Sequence, residues 1–359
     1  MTNAAQRIAA IWAAGYGTLA LGWTILGRGF PYGPDDTRNT TSALRALDPH
    51  VGAPLFAAVL LTAAVALLVA SRSDSPARPV RLAVLGYLWP VAIVLLVVVP
   101  DVRLLTLLGY LPMLIVGLPF GWPPIDYGQV FTATLGHEAL AVLGGLLIAR
   151  AALRWQRRTA GACETCGRDD TADDWTTPAA AARWGRIAAW TAAVIPALYA
   201  AVRLCWAAGL PVGIDAGFLA EMHRTGLVWA GAGLAAFALT GSVLTLGLIQ
   251  RWGERFPRWV PGLAGRRVPI RLATVPATAV AVLVFSASIS LFTGEGSEQL
   301  FAGQDLAARL PMTLWPLWGA ALGAAAWAYH LRRRPACTVC DKGIDPVAGL
   351  VRGSGPEAY

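Results

Sequence analysis

Runs of about 20 uncharged, apolar residues recur along this chain, and few folds can use them. A backbone inside a bilayer has no water to bond, so such runs cross it as helices. The pattern predicts spans near residues 8–26, 51–70, 80–99, 130–148, 186–208, 227–249, 272–292 and 310–331. Charged residues make up only 14% of the 359, against about 25% in soluble domains. A soluble globular core is therefore disfavoured. The expected fold class is an all-α, polytopic membrane protein with eight transmembrane helices.

Residues 104–118 are apolar but only about 15 long, too short for an ordinary span. Gly109 and Pro112 interrupt them, which suits an interfacial or re-entrant piece. Eight spans put both termini and the polar hinge at 150–186 on one side. That side carries 22 of the 29 Lys and Arg residues, in the N-terminus, 71–81, 150–186, 250–271 and the tail. Lys and Arg gather on the cytoplasmic side of a membrane protein. The chain is thus expected in the cell membrane with both termini cytoplasmic. The formal charge of +8 lies beside helix ends, so the expected partner is the lipid bilayer and not nucleic acid. A homo-oligomer or a second membrane protein is left open. MTNAAQR leads straight into the first apolar run, and no signal-peptide cleavage site is expected there.

Similar residues fall in the same order in both halves of the chain. Tyr16 and Trp23 precede Pro31-Tyr32-Gly33, while Tyr199 and Trp206 precede Pro211-Val212-Gly213. Pro79–Ala83 reads PVRLA and Pro269–Ala273 reads PIRLA. Each half closes on an Arg cluster followed by CxxC. Equivalent positions are four spans apart, an even number, so the halves insert in the same orientation. This predicts two parallel four-helix repeats. The expected organisation is repeat 1 at 1–150, a cytoplasmic linker at 151–185, repeat 2 at 186–334 and a cytoplasmic tail at 335–359.

The thiols carry the sharpest chemistry. Cys163 and Cys166 lie in the linker, and Cys337 and Cys340 lie in the tail. Two turn-borne CxxC pairs supply the four soft ligands that tetrahedral zinc requires. The expected cofactor is one structural zinc, pinning the end of one half to the end of the other. A redox-active dithiol is the competing chemistry, although the cytoplasmic side is reducing. Cys205 sits within a span and is expected to pack.

A second group of residues lies at or near the membrane. Glu138 falls inside the fourth span, where an ionisable group is costly and marks a functional site by default. Arg203 lies in the fifth span and is expected either to pair with Glu138 or to line a polar cavity with it. His137, His50 and His223 complete this candidate polar site. Asp48, Asp215 and Glu221 lie near the two helix-end histidines, and His330 lies near the second Arg cluster. No P-loop, GxGxxG or GxSxG motif is present.

Two segments, YAAVRLCWAAGLPVG at 199–213 and RWGERFPRWVPGLAGRRVP at 251–269, resemble actinobacterial multipass integral membrane proteins. That resemblance implies a multipass membrane fold and carries no known activity. The function expected from the residues is binding or passage of a small solute or ion, through an outward-facing polar cavity above a cytoplasmic zinc clamp. A membrane oxidoreductase using quinone or haem is the alternative, as is a non-enzymatic assembly or sensory protein. Catalytic residues are not identifiable from the sequence.

Overall fold

The computed structural model describes residues 3–34, 36, 42–73, 75–117, 119, 127–169, 174–293 and 311–343. The start of the eighth expected span at 310 and the tail beyond 343 lie outside these residues.

The long helices are α1 (Ala4–Leu26), α2 (Pro49–Arg72), α3 (Arg78–Ile93), α4 (Val102–Gly117), α6 (Ala133–Thr159), α7 (Pro178–Ala207), α9 (Leu227–Leu246), α10 (Ile270–Phe292) and α11 (Trp315–Arg333). Two short ones, α5 (Tyr127–Val130) and α8 (Ala216–Thr225), sit in connections. The chain is an all-α, multi-pass membrane protein. Among the described residues, seven helical segments are long and apolar enough to cross a bilayer: α1, α2, Arg78–Val98, α6, α7, α9 and α10. In α11 the residues are mainly Ala, Gly and Trp and end on His330, Arg332 and Arg333, which leaves it less apolar than the seven. The 16 residues of α4 reach about 24 Å at 1.5 Å per residue, short of a full hydrocarbon crossing.

Local chemistry sets the helix starts. Side chains of Thr132 and Thr177 accept from the backbone N–H of Leu135 and Ala180, each at 3.2 Å, opening α6 and α7. Asp48 accepts from the His50 N–H at 2.8 Å and is followed by Pro49 in the first turn of α2. These oxygens satisfy backbone donors that a helix leaves unpaired.

Many small residues face inward, and several large apolar ones face outward. Ala9, Ala13 and Ala20 of α1 are buried with Ala53, Ala57, Leu60 and Ala64 of α2. Ile11, Ile25 and Val65 of the same two helices are 73%, 75% and 60% exposed. In water that arrangement would be unfavourable. Against acyl chains it costs nothing, and tight packing of small residues is what holds such helices together. A Cβ on Gly185 of α7 would stand 2.4 Å from the Ala328 Cβ of α11.

Helices pair in a corresponding way in the two halves. In the first, α1 packs on α2 and α6, and α3 packs on α6; in the second, α7 packs on α9 and α11, and α10 packs on α11. The halves meet where α4 packs along α10. There the Ser286 hydroxyl donates to the Pro100 carbonyl at 2.6 Å. Pro100 follows a π turn at Val94–Val98 that ends α3.

Candidate metal centre and buried charge cluster

The C-terminal end of α6 and the C-terminal end of α11 lead into the two CxxC turns. Each turn is built alike. The Cys163 N–H donates to the Arg168 carbonyl at 2.9 Å, and the Gly167 N–H donates to the Cys163 carbonyl at 2.7 Å. In the second turn the Cys337 N–H donates to the Lys342 carbonyl at 3.1 Å, and the Asp341 N–H donates to the Cys337 carbonyl at 2.9 Å. The residue after the second cysteine takes a left-handed conformation in both, with φ 71° at Gly167 and 54° at Asp341. Backbone N–H groups also reach sulfur, from Arg168 to Cys166 Sγ and from Val339 to Cys337 Sγ, both at 3.4 Å.

The two turns face each other, so the expected meeting of the thiols is observed. All four Sγ atoms lie within 4.8 Å of one another. Cys163 and Cys337 are 3.9 Å apart, and Cys166 and Cys340 are 3.6 Å apart. A tetrahedron with zinc–sulfur bonds of about 2.3 Å has edges of about 3.8 Å. The cluster therefore has the geometry of a four-thiolate metal site. Among the described residues it is also the one group of three or more His, Cys, Asp or Glu ligands that converges to such distances.

Basic residues surround the thiols and tie the turns together. Arg168 Nη1 donates across the gap to the carbonyls of Pro335 and Lys342, each at 2.9 Å. Arg157 Nη1 donates to the Glu164 and Thr165 carbonyls at 3.4 and 3.3 Å. At Cys163, desolvation pushes the thiol up, but the N–H groups of Cys166 and Thr165 outweigh it and leave the value lowered to about 6. The N–H groups of Val339 and Cys340 lower Cys337 likewise. Cys340 gains from the Lys342 N–H, yet desolvation and the three neighbouring sulfurs push it up to about 12. Four thiols this close do not all ionise against one another unless a cation replaces their protons.

A different group gathers near the other end of α6. Glu138 is fully buried, and the sequence offers Arg203 either as its partner or as a second residue lining a polar cavity. Its partner is instead Arg103, whose Nη2 lies 2.7 Å from Glu138 Oε1. The same guanidinium donates from Nη2 to Asp101 Oδ2 at 2.7 Å and from Nε to both Asp101 oxygens at 3.1 Å. Its Nη1 meets Asp36 Oδ2 at 2.7 Å. Asp101 also accepts from the Arg103 N–H at 2.9 Å, which starts α4 and turns its first residues onto α6.

Arg203 is satisfied on its own helix. It donates to the Tyr199 hydroxyl at 3.1 Å and lies over the Tyr199 and Trp206 rings, 5.3 and 4.7 Å from their centroids. Ring faces offer a cation a partner that needs no carboxylate. His137 joins the first-half group through a Tyr16 hydroxyl 3.1 Å from its Nδ1, and Tyr16 reaches the Tyr32 hydroxyl at 3.3 Å. Burial pushes the Tyr32 phenol well above its ordinary range, so it remains a neutral donor. His50 is exposed and engages Asp48 through its backbone N–H. His223 Nε2 lies 2.9 Å from the Trp206 carbonyl, while His330 stacks on Trp327. Asp36, Asp101 and Arg103 were not singled out from the sequence. The signal available was Asp101-Val102-Arg103, a charged pair between two apolar runs.

No family model, curated protein or solved structure matches this chain.

Proposed function

We propose that the chain is a membrane protein of two parallel four-helix repeats, tied beneath the membrane by one structural zinc. The supporting observation is the convergence of Cys163, Cys166, Cys337 and Cys340 from turns 174 residues apart in sequence. In this reading α11, packed between α7 and α10, is the eighth span. The matching helix pairs and the two alike turns support the repeat. The Arg-rich ends of α6 and α11 support a cytoplasmic position for the zinc and both termini. A redox dithiol is the weaker reading, because the spacings fit tetrahedral edges.

Such a clamp holds two bundles in register but carries no chemistry of its own. A second polar feature among the described residues is the Glu138–Arg103–Asp101 group. We assign the protein as a binder or carrier of a small solute or ion, with that group as its polar site. About 21 residues of α6 separate Glu138 from the end of the helix at Thr159, roughly 32 Å of rise and one hydrocarbon thickness. The polar site therefore belongs to the face opposite the zinc.

Metal analysis of the purified full chain tests the clamp. One zinc per chain is expected, with each of Cys163→Ser and Cys340→Ser losing most of it and Cys205→Ser retaining it. Wild-type protein without bound metal, in which Cys163 and Cys166 readily form a disulfide, would overturn it. Flux into vesicles, compared between wild type and Arg103→Met, tests the carrier assignment separately.

A further inference from the structure

Arg103 is the one described cation that pairs with three carboxylates, and it does not balance them. Asp36 lies at the rim, with its side chain 11% exposed. Asp101 and Glu138 are 1% and 0% exposed and share the single guanidinium. With both ionised, these two buried carboxylates set two negative charges against the one positive charge of Arg103, a mismatch that a low-dielectric site penalises. Every Arg103 nitrogen already faces a carboxylate.

The second observation concerns one atom. Glu138 Oε2 is buried and has no hydrogen-bond partner among the described residues. Its carboxyl group nevertheless lies beside that of Asp101. Both are acceptors when ionised, so no bond can form between them. One proton converts the pair into a donor facing an acceptor and cancels the excess charge together. A divalent cation is disfavoured, because these carboxylates do not converge as metal ligands while the cysteines do.

We propose that this cluster is a proton-binding site, in which Glu138 and Asp101 hold one proton between them beside Arg103. The proton adds to Glu138 Oε2, whose O–H then donates to Asp101. No other bond forms or breaks. The groups facing Glu138 are Asp101 and Arg103 from the α3–α4 corner and α4, Asp36 and Tyr32 from the α1–α2 connection, Tyr16 from α1 and its neighbour His137 on α6. Loss of the proton strengthens the hold of Arg103 on α6. Its gain loosens that hold at the corner where Ser286 of the second half grips Pro100. Proton binding is thereby coupled to the contact between halves. This inference rests on the carrier assignment only for the site's role; the binding itself stands on the cluster.

Infrared difference spectroscopy on the full chain, in lipid, with its metal content checked, tests it. The wild type is expected to show the carbonyl stretch of one protonated carboxylic acid, shifted in deuterated water. Glu138→Gln should lose that band, and Asp101→Asn should move it. Should Glu138→Gln fail to fold, Glu138→Asp should retain a displaced band. Absence of any such band from about pH 5 to about pH 9 would overturn the proposal. So would a wild-type band unchanged in Glu138→Gln and Glu138→Asp, or one removed at constant pH by sodium alone.

Discussion

Arg103 compensates charge from three segments at once, so its loss is costlier than its position in a short helix suggests. Removing one partner of a buried ion pair leaves the other charge exposed to a low dielectric, at about 3–5 kcal/mol. Arg103→Met is expected to lower stability by that order in a detergent-based unfolding measurement. Arg203→Met should cost less, about 1–2 kcal/mol, since it loses one hydrogen bond to the Tyr199 hydroxyl and stacking on two rings. Equal effects would contradict the assignment of partners. The sequence identified Glu138 correctly as an anomalous residue, because a lone carboxylate in an apolar run stands out. It pointed to the wrong arginine. Arg203 shares the middle of a run with nothing else charged, whereas Arg103 stands in a stretch that reads as a connection. Which of two arginines reaches a carboxylate depends on how the α3–α4 corner folds, and no spacing along the chain encodes that.

Helix packing rests on positions too small to be noticed in an Ala-rich chain. Gly185 of α7 meets the Cβ of Ala328, which has no rotamer to yield. Gly185→Ala is therefore expected to push α7 and α11 apart at about 1–3 kcal/mol, read as a lower melting temperature. Gly86→Ala, with open space around it, should change little or stabilise. Seven candidate crossings were legible because each holds a long apolar run with few charges. The expected eighth run, 310–331, overlaps α11, which is apolar through Ala and Gly more than through Leu and Ile and is less apolar than those seven. The short α4 was recognisable as an apolar segment shorter than the seven. Its place along α10, between the halves, was not.

At the scale of the whole molecule, the clamp and the helix contacts hold the halves independently. A protease site inserted between Arg168 and Trp175 should leave the cut halves together while zinc is bound. Chelation should then lower the melting temperature of cut protein more than of uncut protein. Zinc competes with protons for the same sulfurs. The Cys163 thiol is depressed to about 6, so its contribution is present at alkaline pH and is lost as pH falls through that value. Metal content measured on acidification should decline as protons displace the cation, and Cys163→Ser should lose its metal at a higher pH than the wild type. Counting spans puts both cysteine pairs on one side, and their convergence agrees with that expectation. Their alike hydrogen bonding was not foreseen, because Asp341 stands where the first turn has a glycine.

The four ligands also fix an order of events during synthesis. Cys163 leaves the ribosome 174 residues before Cys337, a delay of roughly 9–35 seconds at about 5–20 residues per second. For that interval the first pair is a bare dithiol, able to hold a metal only weakly or to hand it on. In the zinc reading, full coordination waits for Cys337 and Cys340, so a chain cut short before them would lack it.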